Sequence, residues 1–253
     1  AVGPEPNPHS ADMHRAEARI AAALPPAAPV PRLLADVEVD GWVALAFEDI
    51  DGHTPVQPWR PADLDRVLAA LGDLGAALTF PEASGGPVDA PSAAEAGAAL
   101  FRGWCTLTEP ERLGEWVAAN LDEIVRWESR WEAAVTGSTL LHGDLRADNI
   151  LLTRDRVVFV DWPSAMVGAA WVDVVLMAPS VIMHDGEWAI APIEAYLARH
   201  RADPDDVTAA LAAVTGFFVC QGLLPPPPGL PTLRAFQRAQ GHAGLKWLRR
   251  RLG

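Results

Sequence analysis

A chain of 253 residues, half of them apolar and 21% charged, can bury one large core or two smaller lobes, and it is too apolar for a disordered segment. Its formal charge of −13 argues against a nucleic-acid partner, which wants a basic face; it suits either a cationic substrate or solubility alone. Cys105 and Cys220 form neither a disulfide framework nor a C-x-x-C motif, so they read as buried thiols of a reducing, cytoplasmic compartment.

Residues 1–10 are broken by prolines and are expected to be irregular, and no basic start with an apolar run marks a signal peptide. Asp12 to Leu24 is Ala- and Arg-rich and predicts a helix stopped by Pro25-Pro26. Val30 to Val39 and Trp42 to Ile50 predict two strands joined at Asp40-Gly41, a common hairpin pair. From Pro61 the pattern turns helical, over about 62–79, 92–104, 109–118 and 120–136. Trp127 and Trp131, at i and i+4, predict one helix face turned to the core. Strand, polar loop and hairpin follow over about 139–161, then helices over about 170–183, 188–200, 204–223 and 231–251. Val207 to Leu224 carries no charge but is interrupted by Thr208, Thr215 and Gln221, and Asp203-Pro204-Asp205-Asp206 reads as its N-terminal cap. It predicts a buried core helix rather than a membrane span. Pro225 to Pro228 form a stiff connector to the last helix.

The chemistry concentrates in Leu140-Leu141-His142-Gly143-Asp144-Leu145-Arg146-Ala147-Asp148-Asn149-Ile150-Leu151-Leu152. A carboxylate and an amide stand five residues apart in a loop between apolar runs, and twelve residues after Asn149 a β-branched run, Val157-Val158-Phe159-Val160, ends in Asp161-Trp162. Phosphoryl transfer asks a protein to orient the acceptor hydroxyl, hold the transferred group in line and neutralise charge with a metal. Asp144 can accept the hydroxyl's proton, and Asn149 and Asp161 offer the oxygen donors that Mg²⁺ prefers. The apolar runs on either side, joined by Thr153-Arg154-Asp155, would set a rigid hairpin beneath the three. Taken singly, Asp144 reads as a turn acid, Asp148 and Asn149 as loop caps and His142 as a packed imidazole; the joint spacing is what points to ATP and Mg²⁺.

At these residues the chain resembles the aminoglycoside phosphotransferase and choline kinase family, relatives of the protein kinases, whose pattern is His-x-Asp-x-x-x-x-Asn followed by an apolar strand ending in Asp. The resemblance implies an α+β, protein-kinase-like fold: a truncated, small β-containing N-lobe over residues 1–52 and a large, mainly helical C-lobe over 53–253. It implies Asp144 as catalytic base, Asn149 and Asp161 as Mg²⁺ ligands and His142 as a structural residue of the loop. Gly168-Ala169-Ala170-Trp171-Val172-Asp173 looks like the segment whose Asp braces the loop, or is a plain helix N-terminal acid. Glu17 matches the glutamate that pairs with a phosphate-gripping lysine, and Phe47, Glu48, Asp49 and Ile50 match the hinge that meets the adenine of ATP. Arg146 either reaches the γ-phosphate or is an exposed loop arginine. The acceptor would be a small molecule lying near Asp185, Glu187, Trp188 and Glu194, unless these are ordinary solvated helix faces.

The chain departs from the pattern in one respect. Its single lysine, Lys246, cannot take the phosphate-gripping role, and no glycine-rich hairpin precedes Glu17. The expectation is either a fragment or mis-set start, or a degraded kinase that binds a ligand without turnover. In both cases apolar faces of the front hairpin would stay exposed, ATP would bind poorly and turnover would be slow. The pattern does not fit a protein kinase proper, since the loop reads His-Gly-Asp and no Asp-Phe-Gly follows. No nucleic-acid or membrane partner is expected, and the acceptor and oligomeric state stay open.

Overall fold

The computed structural model describes residues 8–81 and 89–253. Its elements are α1 (Pro8–Ala23), β1 (Leu33–Val39), β2 (Trp42–Phe47), α2 (Pro61–Leu78), α3 (Ala93–Gly97), α4 (Gly103–Thr106), α5 (Glu115–Glu128), α6 (Trp131–Ala134), β3 (Thr139–Leu141), β4 (Ile150–Leu152), β5 (Val157–Phe159), β6 (Met166–Gly168), α7 (Val172–Ile182), α8 (Ile190–Arg199), α9 (Pro204–Leu223) and α10 (Leu233–Leu252). Short 3-10 turns stand at Pro110–Leu113, Ala147–Asn149 and Glu187–Ala189. Two compact units form: Ala1–Pro91 with Gly137–Asp173, and Ser92–Thr136 with Val174–Gly253. The boundary expected at 52/53 runs inside the first of these.

In the first unit, α1 begins at Pro8, ahead of the expected Asp12, because a proline in a helix's first turn costs no hydrogen bond. The rest of the irregular start, residues 1–7, lies outside the described residues. Arg15 donates to Glu38 at 2.6 and 3.1 Å and ties α1 to β1. The β1–β2 hairpin turns on Asp40 and Gly41, whose φ values of 50° and 78° suit the two-residue turn that the pair predicts. β1 starts three residues later than expected, beyond Pro31. The outer surface of the hairpin is apolar and bare: Leu34, Val37, Val39 and Trp42 are 54–60% exposed. Leu64, Val67, Leu68, Leu71, Leu74 and Leu78 recur at helical spacing and form the buried face of α2. That face belongs to the core that also holds Leu140, Leu141, Leu145, Ile150, Leu152, Val157, Val158 and Phe159. β3 pairs with β6 and β4 with β5, both antiparallel. Arg66 of α2 donates to the Thr153 and Arg156 carbonyls and holds the β4–β5 turn from outside.

In the second unit α9 is the axis, buried continuously from Val207 to Gly216 and packed against α4, α5, α6 and α10. By length and composition it could cross a membrane, yet most of it is buried inside the protein, which is why it carries no charge beyond Asp205 and Asp206 in its first turn. Asp203 caps it by accepting from the Asp205 and Asp206 N–H groups, as the sequence predicts. Three helix expectations need correcting. The segment 92–104 is split into α3 and α4. The expected break near 119 falls instead at Gly114, where φ is 104°. Trp127 and Trp131 stand on separate helices; only Trp131 is core, and Arg130 covers Trp127 at 4.7 Å. Cys105, expected buried, is exposed, whereas burial pushes the Cys220 thiol up to about 11.

Candidate active site

The catalytic-loop candidates all lie in the first unit and are fixed largely by backbone hydrogen bonds. Pairing of Ile150 with Phe159 extends one step outward, where the Val160 N–H donates to the Asn149 carbonyl at 3.0 Å. This sets Asn149 and Asp161 at the same end of the hairpin. The Asn149 side chain donates from Nδ2 to the Asp144 carbonyl at 2.8 Å, which leaves Oδ1 as its remaining polar atom. Asp161 is exposed and takes a left-handed backbone with φ of 69°, turning the chain sharply out of the strand end.

His142 is fully buried, and its ring holds two parts of the loop together. Its Nδ1 accepts from the Asp144 N–H at 3.3 Å, so Nε2 carries the proton and donates to the Val160 carbonyl at 2.8 Å. Burial pushes its pKa down to about 4, keeping it neutral, and its ring lies 4.7 Å from that of Trp162. Gly143 has φ of 81°, and a Cβ there would strike the Ser164 carbonyl, so only glycine fits between His142 and Asp144. Asp173, at the start of α7, accepts from the His142 N–H at 2.8 Å and from the Gly143 N–H at 2.9 Å. It therefore grips the loop directly rather than standing as a plain helix acid. Burial raises its pKa to about 6 against the pull of those two donors.

Asp144 is partly buried, which raises its pKa, while Arg146 pulls the other way. Arg146 is neither free nor fully exposed: it donates to Asp148 at 2.8 and 3.1 Å and lies 3.9 Å from an Asp144 oxygen. A raised carboxylate near a held cation can orient a hydroxyl and take its proton.

The hinge and α1 candidates meet around a cleft of about 130 Å³. Glu17, Phe47, Glu48, Ile50 and Asp161 line it, together with Leu24, Val30 and Trp162. Asp49 is exposed and does not line it. Glu48 accepts from Arg32 and Arg156 at 3.4 and 3.3 Å. Glu17 has no lysine beside it; its Oε1 accepts from the Trp162 N–H at 3.4 Å, and burial and then Asp161 raise its pKa. Trp162 gave no chemical signal beyond its place after Asp161, and the apolar Leu24 and Val30 gave none.

Among the described residues no group of three His, Cys, Asp or Glu side chains could hold a metal. Mg²⁺ does not require one, since it is commonly held by one or two protein oxygens plus phosphate and water. An all-oxygen pair with the Asn149 amide turned by its own hydrogen bond fits that ion. Two of the three carboxylates expected near an acceptor do not stand free. Glu187 pairs with Lys246 at 2.8 Å and Arg250 at 2.6 Å, and Glu194 pairs with Arg251 and accepts from Trp247 Nε1. Trp188 is 38% exposed, and Asp185 is an exposed turn residue with φ of 57°.

A helix-and-hairpin front piece, a mainly helical body and this loop at a hairpin end define the kinase-like fold class. The phosphotransferase enzyme family, APH, matches residues 3–210, and the chain belongs to that family. Among solved structures it is similar to a thermostable mutant of aminoglycoside phosphotransferase APH(4)-Ia in ternary complex with AMP-PNP and hygromycin B. That match has 17% identity and a TM-score of 0.59, covering 94% of this chain and 82% of the other. A choline/ethanolamine kinase family protein from Mesorhizobium loti gives 18%, 0.59, 96% and 83% in the same order. Aminoglycoside phosphotransferase APH(3'')-Id from Streptomyces rimosus gives 17%, 0.52, 81% and 82%. At these identities the likeness is one of fold. No curated protein matches the sequence.

Proposed function

We propose that this chain transfers the γ-phosphoryl group of ATP to a hydroxyl of a small molecule. The observation that carries the reading is that Asn149 donates from its side-chain amide to the Asp144 carbonyl and accepts at its backbone carbonyl from Val160, the residue before Asp161, so one residue ties the proton acceptor to the strand end that bears Asp161. In this reading Asp144 orients the acceptor hydroxyl and takes its proton, and its raised pKa suits that task. Asn149 and Asp161 would hold Mg²⁺, which when bound neutralises phosphate charge. Arg146, fixed beside Asp144, offers a cation to the transferred group. His142 and Asp173 hold the loop and touch no substrate. Phe47 and Ile50 give the cleft apolar walls for a planar base.

An amine-bearing alcohol, aminoglycoside-like or smaller, is the acceptor class we favour. Support comes from the hygromycin B complex of a fold relative and the choline/ethanolamine kinase family of another. The net charge of −13 points the same way, whereas Glu187 and Glu194, already paired, do not. Two free thiols and an ATP-dependent reaction suit a cytoplasmic setting.

One observation favours a second reading, a binding module without turnover. Among the described residues no lysine or arginine lines the cleft, and its 130 Å³ is well below the roughly 300–1,000 Å³ of ordinary ligand pockets. The test is Mg·ATP with a panel of amine- and hydroxyl-bearing acceptors, run on the wild type and on Asp144→Ala. Weak ATP binding with slow turnover that disappears in the variant supports transfer. Ligand binding with no turnover in either protein supports the binding module. Fast turnover by the wild type would refute the expectation of a weakened nucleotide grip.

A further inference from the structure

We propose that Glu17 is an additional oxygen ligand of the divalent cation held by Asp161 and Asn149, so that the α1 carboxylate serves the metal in this chain; this rests on the reading of those two residues as metal ligands. Three carboxylates line the cleft, and they are not equivalent. Glu48 is neutralised by Arg32 and Arg156. Glu17 and Asp161 make no ion pair among the described residues, and Arg146, the cation nearest the loop, is taken up by Asp148 and Asp144.

The single hydrogen bond of Glu17 decides where its charge sits. Oε1 accepts the N–H of Trp162, the residue directly after Asp161, and Oε2 has no hydrogen-bond partner among the described residues. The bond is long at 3.4 Å and uses one oxygen, so capping that N–H does not account for a half-buried carboxylate lining the same cleft as a second one. Two like charges facing one cleft repel; a divalent ion between them would remove the repulsion and gain a third protein oxygen. Affinity of oxygen-ligand sites rises with the number of ligand charges.

The probe is Mn²⁺ in place of Mg²⁺, binding to the 253-residue chain without nucleotide, followed by the loss of its free-ion EPR signal. Glu17→Gln keeps a side-chain oxygen for the Trp162 N–H, so a folding defect is not expected, and matching circular dichroism would check that. We expect Asp161→Asn to abolish binding, Glu17→Gln to weaken it about tenfold, and Asp36→Asn, an exposed β1 carboxylate outside the cleft, to leave it unchanged. Wild-type affinity in Glu17→Gln, with binding lost in Asp161→Asn, would overturn the role of Glu17 and leave the phosphotransferase reading standing. Unchanged binding in Asp161→Asn would overturn both the proposal and the metal assignment beneath it, whereas no Mn²⁺ binding by the wild type without nucleotide would overturn the proposal alone, since a site of two protein oxygens is completed by phosphate.

Discussion

The catalytic loop and the β1–β2 hairpin belong to one compact unit and are held in opposite ways. In the loop, His142, Gly143, Asp144 and Asn149 are each fixed by a hydrogen bond to a partner distant in sequence or across the turn, and His142 and Asn149 are almost wholly buried. Among the described residues the hairpin is held by its own ladder, the Arg15–Glu38 pair and α1, while four large apolar side chains face outward. A two-stranded hairpin is marginal in water unless something packs on it. The candidate catalytic residues thus stand on the firmly held part of the unit, and the cleft proposed for a nucleotide borrows one wall from the weakly held part.

Four measurements can break or sharpen that contrast, in falling order of size. Asp144→Ala should lower any phosphoryl transfer by about 10²–10⁴-fold with an unchanged melting profile, because the loop is held by other groups. Transfer that survives at wild-type rate would remove Asp144 from the chemistry. Asp173→Ala should cost about 2–4 kcal/mol in urea unfolding, since it strands one buried and one part-buried N–H donor. A loss below about 0.5 kcal/mol would mean that the loop does not depend on this brace.

The third measurement is stability against pH. Folded His142 has a pKa near 4 against an ordinary 6.5, so below pH 6.5 the unfolded chain takes a proton that the folded one refuses. Stability then falls as pH falls, at up to about 1.4 kcal/mol per unit. Asp173 acts with the opposite sign: its folded pKa near 6 exceeds the ordinary 3.8, so acidification from pH 6 to 3.8 favours the folded chain. The two nearly cancel between pH 6 and 4. Asp173→Asn should therefore show a steeper acid-side decline than the wild type, and parallel urea-midpoint curves would contradict the assignment. Smallest of all, Leu34→Ser with Trp42→Ser should move unfolding stability by no more than about 0.5 kcal/mol each while improving solubility. A large destabilisation would show that the hairpin face is supporting the fold.

The same contrast explains what could be read in advance. The loop was legible because its geometry is local: five residues separate Asp144 from Asn149, twelve more reach Asp161, and β4–β5 pairing closes the distance. α9 was legible from its cap and from the lack of charge from Val207 onward. Features set by distant partners were not. A Cβ at Gly97 would strike Phe101 and Trp131, and one at Gly103 would strike the Gly216 backbone, so the break between α3 and α4 answers to packing that no window over 92–104 contains. β6 is three residues long and exists by pairing with β3. Glu187 and Glu194 looked available for a ligand because Lys246, Arg250 and Arg251, which occupy them, come more than fifty residues later. Cys105 showed the limit of composition: a cysteine's general tendency to be buried says little about one position.

The apolar α9 has a consequence for synthesis. Of the helices packed on it, α4, α5 and α6 precede it in the chain, but α10, which packs on it most extensively, follows, so a ribosome releases the apolar helix before a large part of its cover exists. For that interval the nascent chain carries a segment with the length and hydropathy of a membrane span, competing for chaperones or a translocation machinery. Gly241 and Gly244 let α10 approach α9 closely: a Cβ would crowd Val219 at the first and strike Thr215 at the second. A bulky side chain at either position would be felt first as a lower yield of folded protein.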